Sequence, residues 1–391
     1  MKKLQKAGRM AWGVMALSLV GYAAQAQVGI GTETPQAKLH VHGGGLQVNT
    51  ANLNPDVNPF YDDSNPEPVE SRLRWYDNKC AFRVITERVG NGGFDIANIG
   101  MFSFASGFET FASGNSSTAL GLRSVASGNY SFAAGFNSTS SGLRSIAQGN
   151  ACTASGISAV ALGSFCTAGA EGAVAIGNLC SATADKSIAI GNFSTADGTG
   201  SIAMGQQVGT NGKSGSFVFG DYTNISTKND ANNQMMMRFT GGYKLYANDN
   251  ANIGVELKHN QNSWSVLSDV RRKENFAPVN GEDFLNKINA MNLTSWNYKG
   301  QDPKQFRHYG PMAQDFYKAF GQDAYGTVGS DTTINQADFD GVNLIAIQAL
   351  IRRMEQMNSD LLAELASIKA QLAEAQSGQA RKKRKMLVSR R

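Results

Sequence analysis

A short unit of alternating apolar and small residues repeats through the middle of the chain. Counting in steps of seven from Gly93 to Gly212 gives eighteen positions, and sixteen of them are glycine, the exceptions being Ala170 and Ala184. From 105 to 203, the residue two positions before each of these sites is alanine, except at Ser140. The residue directly before that alanine differs between alternate heptads, so the true repeating unit is fourteen residues long and has two related halves. One half carries Val160, Val174, Ile188 and Ile202 at that position, and the other carries Thr139, Thr153, Thr167, Ser181 and Thr195.

This unit has the periodicity of a β-strand rather than that of a helix. Within the pattern S-[VI]-A-[LIM]-G, side chains alternate between two faces. A coiled coil is excluded, because each glycine costs about 1 kcal/mol in a helix relative to alanine. We therefore predict a β-solenoid with two short strands and two turns per coil, in which glycine takes a corner with positive φ. Alanine and glycine make a thin interior, so the valine and isoleucine positions are expected to be covered by copies of the same chain.

A second pattern, near the C terminus, predicts a coiled coil. Apolar residues recur at alternating intervals of three and four over four heptads, and Asn358 is one polar a position that can fix the register. The positions are Leu344, Ile347, Ile351, Met354, Asn358, Leu361, Leu365, Ile368 and Leu372. A lone amphipathic helix is the alternative, but the unbroken spacing favours a helix that self-associates.

The first 26 residues have the three parts of a secretory signal. A basic start is followed by the apolar run Met10–Val20 and by the small-residue site Ala24-Gln25-Ala26. The run is eleven residues long and too short to cross a bilayer, which needs about 20. We expect export through this signal, secretion or display at the cell surface, a mature chain that begins at Gln27, and no transmembrane segment in it.

Changes in composition predict the domain boundaries and the class of partner. Without the four cations of the first nine residues and the seven of the last eleven, the net charge of +5 becomes −6. The chain between its two basic ends is therefore mildly acidic, so nucleic acid is not a predicted partner. The predicted order is a signal peptide at 1–26, an N-terminal β and linker region at 27–92, the repeats at 93–215, a β-rich connector at 216–259, an α+β domain at 260–340, the coiled coil at 341–376 and a basic disordered tail at 377–391.

Three cysteines fall in one column of the predicted solenoid. Cys152, Cys166 and Cys180 lie fourteen residues apart, and the same slot holds Ser138 and Ser194 in the neighbouring coils. Parallel Cβ vectors give poor disulfide geometry, and a single column cannot surround a metal ion tetrahedrally. These cysteines are interpreted as small replacements for serine, with a disulfide as the alternative.

Other polar residues do not predict a metal or cofactor site. His40 and His42 lie on one face of a short strand with no third ligand nearby, which favours a polar surface over a metal site. No cofactor and no metal are predicted. The tail RKKRKMLVSRR is either a basic arm for an anionic surface polymer or a solubilising end.

The repeats, for example Ser158–Gly163 with the sequence SAVALG, resemble the head repeats of trimeric autotransporter adhesins. The resemblance covers about 100–212 and implies a left-handed parallel β-roll with three chains side by side. That family ends in a membrane-embedded β-barrel anchor. Because this chain ends in a basic tail without amphipathic strands, anchoring by that route is not predicted.

Two C-terminal motifs precede the heptad helix: S-D-x-R-x-K at 268–273 and G-x-x-A-Q-[DE] at 310–315. Together with that helix they resemble the peptidase S74 family of intramolecular chaperones found at the ends of phage tailspikes and endosialidases, although Pro311-Met312 departs from the apolar pair of the family. The resemblance implies a domain that drives trimerisation and then cuts its own chain with a Ser-Lys dyad. It implies that Ser268 is the nucleophile, Lys273 the general base, Leu267–Ser268 the scissile bond, and Asp269, Arg271, Gly310, Ala313 and Gln314 the supporting motif residues, with His308 as a further candidate for orienting the dyad or the cut terminus.

The chemistry of this dyad depends on the protonation of Lys273. A serine hydroxyl needs an adjacent base, and lysine acts as one only when burial or nearby cations lower its pKa, which is about 10.4 in water. Arg271 and Arg272 are suitable cations, whereas Asp269 and Glu274 act in the opposite direction. The alternative is that the serine and the aspartate only cap a helix whose first turn carries solvated charges.

Together these features predict a mainly β homotrimer, with a β-solenoid followed by an α+β chaperone domain that ends in a coiled coil. The predicted protein is a fibre or adhesin whose only enzymatic activity is autocatalytic serine-peptidase cleavage of its own chain. The alternative is a module in which the repeats bind a cell-surface carbohydrate or protein and the chaperone remains as a non-cleaving trimerisation clamp.

Overall fold

The computed structural model describes residues 28–30, 32, 39–41, 47–50 and 69–389. The predicted signal peptide, His42 and the last two residues lie outside the described residues. The chain divides between Thr240 and Gly241 into two compact units. Among the described residues, no helix is both long enough and apolar enough to cross a membrane.

Short strands lead into the solenoid. β1 (Val28–Ile30) pairs in parallel with β2 (Leu39–Val41). β3 (Gln47–Thr50), β4 (Val69–Tyr76) and β5 (Ala81–Arg88) form an antiparallel meander, and β5 then pairs in parallel with the first long strand of the repeats.

The repeats form the predicted β-solenoid, with about ten turns. Each coil contributes one longer strand and one two-residue strand, and each strand pairs in parallel with its equivalent fourteen residues further on, as Val160 does with Val174. Beyond residue 206 the coils lengthen, because Ile202 pairs with Phe217 and Phe217 with Met235. The longer strands are β6 (Phe104–Phe108), β8 (Thr118–Leu122), β10 (Phe132–Phe136), β12 (Ile146–Asn150), β14 (Val160–Ser164), β16 (Val174–Asn178), β18 (Ile188–Asn192), β20 (Ile202–Gln206), β22 (Phe217–Gly220) and β24 (Met235–Arg238). The shorter strands are β7 (Phe111–Ala112), β9 (Val125–Ala126), β11 (Thr139–Ser140), β13 (Thr153–Ala154), β15 (Thr167–Ala168), β17 (Ser181–Ala182), β19 (Thr195–Ala196), β21 (Val208–Gly209) and β23 (Thr227–Lys228).

The interior of the solenoid is built from small side chains. The alanines of both sheets, such as Ala161 and Ala168, are completely buried. Serines that directly follow a left-handed corner are also buried, and one of them, Ser145, donates through Oγ to the carbonyl oxygen of Gly142 at 2.7 Å. Val160 and Leu162, on the outward face of the longer sheet, remain only partly buried in the single chain.

The three cysteines of the column are free thiols that replace serine. Cys166 Sγ donates to the carbonyl oxygen of Gly177 at 3.3 Å, and Ser194 Oγ makes the equivalent bond to Gly205 at 2.8 Å. Burial raises the pKa of Cys180 to about 11, so this thiol stays neutral at physiological pH. The serine-replacement interpretation therefore accounts for the column.

Glycine in the coil allows a positive φ at some positions and close stacking against the next coil at others. The prediction gave it only the first of these roles. At Gly163, φ is +120° and an added Cβ would lie 2.0 Å from the carbonyl oxygen of Gly177. At Gly128, which lacks a positive φ, an added Cβ would lie 2.1 Å from the carbonyl oxygen of Gly142. The left-handed corners themselves recur at every seventh position from 102 to 207, with φ between 50° and 64°, and fourteen of these sixteen residues are not glycine. Close stacking of coils, more than the corners, therefore requires glycine.

Arg83 closes the N-terminal end of the solenoid. Its side chain points into the interior and is 1% exposed. The guanidinium donates to Ser103 Oγ at 2.8 Å, to the carbonyl oxygen of Ser103 at 3.1 Å and to that of Ala112 at 2.9 Å. Burial lowers the pKa of Arg83 to about 10, which leaves it charged at neutral pH. Glu87 follows Ile85 on the same face of β5 and is also buried. Its carboxylate accepts a hydrogen bond from the backbone N–H of Gly93 at 2.6 Å.

A second arginine closes the other end. Arg238 donates through Nη1 to Asp221 Oδ1 at 2.8 Å, through Nε to Thr227 Oγ1 at 2.5 Å and through Nη2 to the carbonyl oxygen of Thr223 at 3.2 Å. Asp221 also accepts from the backbone N–H and the hydroxyl of Thr240, both at 2.7 Å. These hydrogen bonds, led by those from Thr240, hold the pKa of Asp221 well below its usual range.

The second unit is α+β, as predicted. It begins with an antiparallel sheet of β25 (Gly242–Tyr246), β26 (Gly254–Lys258) and β27 (Ser265–Val266). A 3-10 turn (Val270–Arg272), α1 (Gly281–Ala290), the hairpin-like pair β28 (Thr294–Trp296) and β29 (His308–Gly310), α2 (Ala313–Phe320) and α3 (Gln336–Val388) follow. The apolar core of these elements contains Phe316, Phe320 and Val342, against which Phe284, Ile288, Met291, Ala319, Ile334 and Phe339 pack.

Helix α3 has two apolar faces near its start. Val342, Ala346 and Ala349 are buried, and α1 approaches so closely that a Cβ added to Gly281 would lie 2.7 Å from Ala349 Cβ. The predicted a and d positions form the other face and are 46–69% exposed in the single chain. These exposed positions are Leu344, Ile347, Ile351, Met354, Leu361, Leu365, Ile368 and Leu372.

The predicted disordered tail is largely helical. α3 continues to Val388, well past the boundary expected at 377. The residues concerned are mostly alanine, glutamine, lysine and arginine, which have high helix propensity, and cations are favourable near the C-terminal end of the helix dipole. Charge alone was therefore a poor guide to disorder here.

Gly163→Ala is expected to destabilise the solenoid strongly. The substitution combines a backbone strain of about 1–3 kcal/mol with a clash against the next coil. Gly200→Ala is the matched control, because Gly200 lies at a left-handed corner with nothing within 4 Å of its added Cβ. Thermal unfolding followed by circular dichroism should show a much larger fall in Tm for Gly163→Ala, and equal falls would contradict the stacking argument.

Asp221→Asn is expected to flatten the acid dependence of stability. A carboxylate with a lowered pKa stabilises the fold above its unfolded pKa of about 4, and this contribution is lost as the pH falls through its lower folded pKa. The parent chain should lose Tm between about pH 4 and pH 2 more steeply than the variant, which should already be less stable at pH 7. Asp185→Asn, at an exposed corner, is the control and should follow the parent curve.

Candidate functional site

The structure brings Ser268 and Lys273 into direct contact. Strand β27 ends at Val266, and the N–H of Leu267 still donates to the carbonyl oxygen of Gly254 at 3.2 Å. The 3-10 turn follows, and Lys273, directly after it, donates through Nζ to Ser268 Oγ at 2.8 Å. The spacing of five residues therefore places an amine within proton-transfer distance of the hydroxyl.

Asp269 and Arg271 support the turn between these two residues. Asp269 caps it by accepting from the backbone N–H of Arg271 at 3.0 Å, and the guanidinium of Arg271 donates to both carboxylate oxygens, the shorter bond being 2.6 Å. These hydrogen bonds lower the pKa of Asp269 and raise the pKa of Arg271. The charges of the pair compensate each other, which leaves Arg272 as the neighbouring cation without a described ion pair.

The surroundings of the Ser-Lys pair are open in the single chain. Ser268 and Lys273 are both exposed. A lysine becomes a base when water is excluded from its amine or when cations surround it. The geometry of a dyad is thus present, whereas the described residues of the single chain do not bury Lys273.

The bond between Leu267 and Ser268 lies between two groups of elements, and no described hydrogen bond or ion pair joins one group to the other. The sheet β25–β27 is complete before it, and the apolar core of α1, α2 and α3 lies entirely after it. Every hydrogen bond and ion pair described for residues 268–383 has both partners on the C-terminal side. Cutting this bond would therefore remove no described hydrogen bond from either segment.

The second motif lies at the junction of β29 and α2. Gly310 ends β29 with a φ of +146°, while Ala313 and Gln314 begin α2. Within residues 69–389, the described hydrogen bonds of Ser268 and Lys273 do not reach this motif. His308 stacks on Trp296 with ring centroids 4.7 Å apart, and it makes no described contact with the dyad.

Both regions match known families. Residues 268–324 match the peptidase S74 model, described as the chaperone of endosialidase. Four segments upstream, 112–138, 140–165, 154–179 and 182–207, match the YadA head domain repeat. The chain carries an S74 chaperone domain downstream of YadA head repeats. No curated protein matches the chain.

The S74 match begins at Ser268, the first residue after the bond that lies between these two groups of elements. S74 chaperone domains are trimerisation modules. The S74 domain and the head repeats together indicate a trimeric fibre or adhesin-like protein.

The head repeats display a column of apolar side chains that the sequence analysis did not single out. Phe165, Leu179 and Phe193 lie fourteen residues apart, at the equivalent left-handed corner of three successive coils, and are 41–53% exposed. Next to Phe193, a groove of about 280 Å³ is also lined by Asp197 and Lys228. The seven-residue spacing of these corners was available in the sequence, but only the backbone shows that they point outward. Among the described residues, no cluster of three or more potential metal ligands is present.

Proposed function

We propose that this protein is an exported trimeric fibre or adhesin whose S74 domain aligns three chains and then cuts each chain between Leu267 and Ser268. The observation that carries the proposal is the 2.8 Å contact between Lys273 Nζ and Ser268 Oγ at the first residue of the S74 match. The self-contained contacts on each side of the bond support the same position for the cut.

Assembly is supported by two exposed apolar faces. The a and d face of α3 is exposed in one chain, although its spacing is that of a coiled coil. The outward valine, isoleucine and leucine positions of the longer sheet are likewise only partly buried. Association of three chains would cover the α3 face and could also exclude water from the dyad.

The proposed cleavage uses the dyad in two steps. Neutral Lys273 takes the proton of Ser268 Oγ as that oxygen bonds to the carbonyl carbon of Leu267. The C–N bond breaks, and the departing amine of Ser268 takes a proton from the Lys273 ammonium, which leaves an ester between Leu267 and Ser268 Oγ. Water then hydrolyses the ester and frees both ends. The nucleophile is held next to its target, so a single turnover needs no high rate.

A second candidate function is recognition of a surface glycan or protein by the head repeats, with the S74 domain as an uncut clamp. The exposed column of Phe165, Leu179 and Phe193 favours it, because exposed aromatic residues are typical of recognition surfaces.

Intact-mass spectrometry of residues 27–391 distinguishes an S74 domain that cuts its own chain from one that remains as an uncut clamp. We expect fragments 27–267 and 268–391 in the parent, and a single intact chain in Ser268→Ala and in Lys273→Met. Ser265→Ala, in β27, is the control and should be cut like the parent. An assembled but uncut parent chain would disprove the peptidase claim and leave the S74 domain as a permanent clamp.

Leu361→Asp is expected to abolish trimer formation. Leu361 is a d position and 61% exposed in the single chain, so its replacement should spare the fold of the chain and remove a contact between chains. Sedimentation of Ser268→Ala should give the mass of a trimer, and the double variant with Leu361→Asp should give smaller species. Ala363→Asp, on the opposite side of the helix, should remain trimeric. If assembly activates the dyad, Leu361→Asp with Ser268 intact should also be cut more slowly.

A further inference from the structure

The end of α3 carries an uncompensated set of cations. After Glu374 the chain has no acidic residue, but it has seven basic ones. Five of these, 381–385, lie in the helix, and the side chains of Arg381, Lys382 and Lys383 are fully described and exposed. None of those three makes an ion pair or a side-chain hydrogen bond within the described part of the chain.

Coiled-coil association would leave this segment uncovered. The apolar seam of α3 ends at Leu372, and the next a and d positions are Ala375, Gln379 and Lys382. Three copies of Lys382 facing one another would repel without any apolar contact in return. The cations therefore stay accessible in the trimer, and three copies increase their local density.

The arrangement of the cations indicates which class of anion they fit. Successive residues in a helix are about 100° apart, so Arg381, Lys382 and Lys383 are spread over about 200° of the helix circumference instead of forming one charged face. A helix that lies on a membrane needs an apolar face opposite its charges, and residues 374–383 lack one, because alanine and glycine are their only non-polar residue types. No aromatic residue follows Phe339, so the segment has no platform on which nucleic-acid bases could stack.

A flexible anionic chain can follow the helix surface and meet cations that point in different directions, whereas a rigid duplex reaches one side only. We propose that Arg381, Lys382 and Lys383 form a binding site for an anionic polysaccharide, carrying sulfate or carboxylate groups, that is recognised through charge. This inference does not depend on self-cleavage, and it goes beyond the assembly role proposed for the S74 domain.

Heparin, as a sulfated polysaccharide probe, tests the inference with full-length Ser268→Ala, which keeps the segment attached. We expect binding that weakens as salt increases, and no binding to neutral dextran. The variant Arg381→Gln, Lys382→Gln, Lys383→Gln should bind at least about tenfold more weakly, since each lost cation removes a contact of the kind that releases counterions. Glutamine has a helix propensity similar to that of lysine and arginine, so helix content should be unchanged.

The matched control removes three positive charges from other positions in the domain. Lys299→Gln, Lys304→Gln, Lys369→Gln changes exposed lysines and should alter heparin binding by less than about twofold. Equal losses in the two triple variants would overturn the site, because net charge alone would then explain binding. Tighter binding to duplex DNA, or to vesicles of phosphatidylserine and phosphatidylcholine, than to heparin would overturn the polysaccharide as the ligand.

Discussion

The interior of the head repeats is filled mainly by alanine, serine and cysteine side chains, and the rest of the molecule depends on this constraint. The completely buried alanines of both sheets, with the buried serines and cysteines between them, leave no room for larger side chains in the repeated coils. Glycine is required wherever a Cβ would strike the next coil, as at Gly163. Such a core buries little apolar area, so hydrogen bonds between coils take a larger share of the stability, and the apolar residues of the longer strands face outward, where another chain can cover them.

Identical coils do not by themselves fix the register in which they pair, and the two ends of the solenoid and the C-terminal domain can supply it. Every coil offers nearly the same pairing surface, so a slip of fourteen residues would preserve most contacts. Arg83 and Arg238 mark the two ends with hydrogen bonds that the repeated coils do not make. A C-terminal S74 domain with a heptad helix can align three chains before they pair along their length. Unique ends and a separate assembly domain thus supply the information that identical coils lack.

The sequence predicted features that depend on spacing and missed those that depend on burial. The period of fourteen predicted the two strands per coil, and the resemblance of S-D-x-R-x-K to the S74 motif implied the pair of Ser268 and Lys273, which the structure places in contact. Arg83 could not be foreseen as an interior residue, because a charge in a strand ordinarily faces solvent and only the end of a solenoid offers it unpaired carbonyl groups. The open surroundings of Lys273 also lay beyond prediction, since they depend on what packs around the turn.

The sixteen left-handed corners restrict which residues the head repeats can display. None of them is valine, isoleucine or threonine, although these residues are abundant in the strands only two positions away. β-Branched side chains are strongly disfavoured at positive φ, whereas aromatic, basic, acidic and amide side chains all occur at these corners. Most of these side chains are exposed or partly exposed and lie outside the alanine interior, whereas Glu109 is buried and forms ion pairs with Arg88 and Arg123. The head can therefore present a new surface through substitutions at its exposed corners, within this restricted set of residue types.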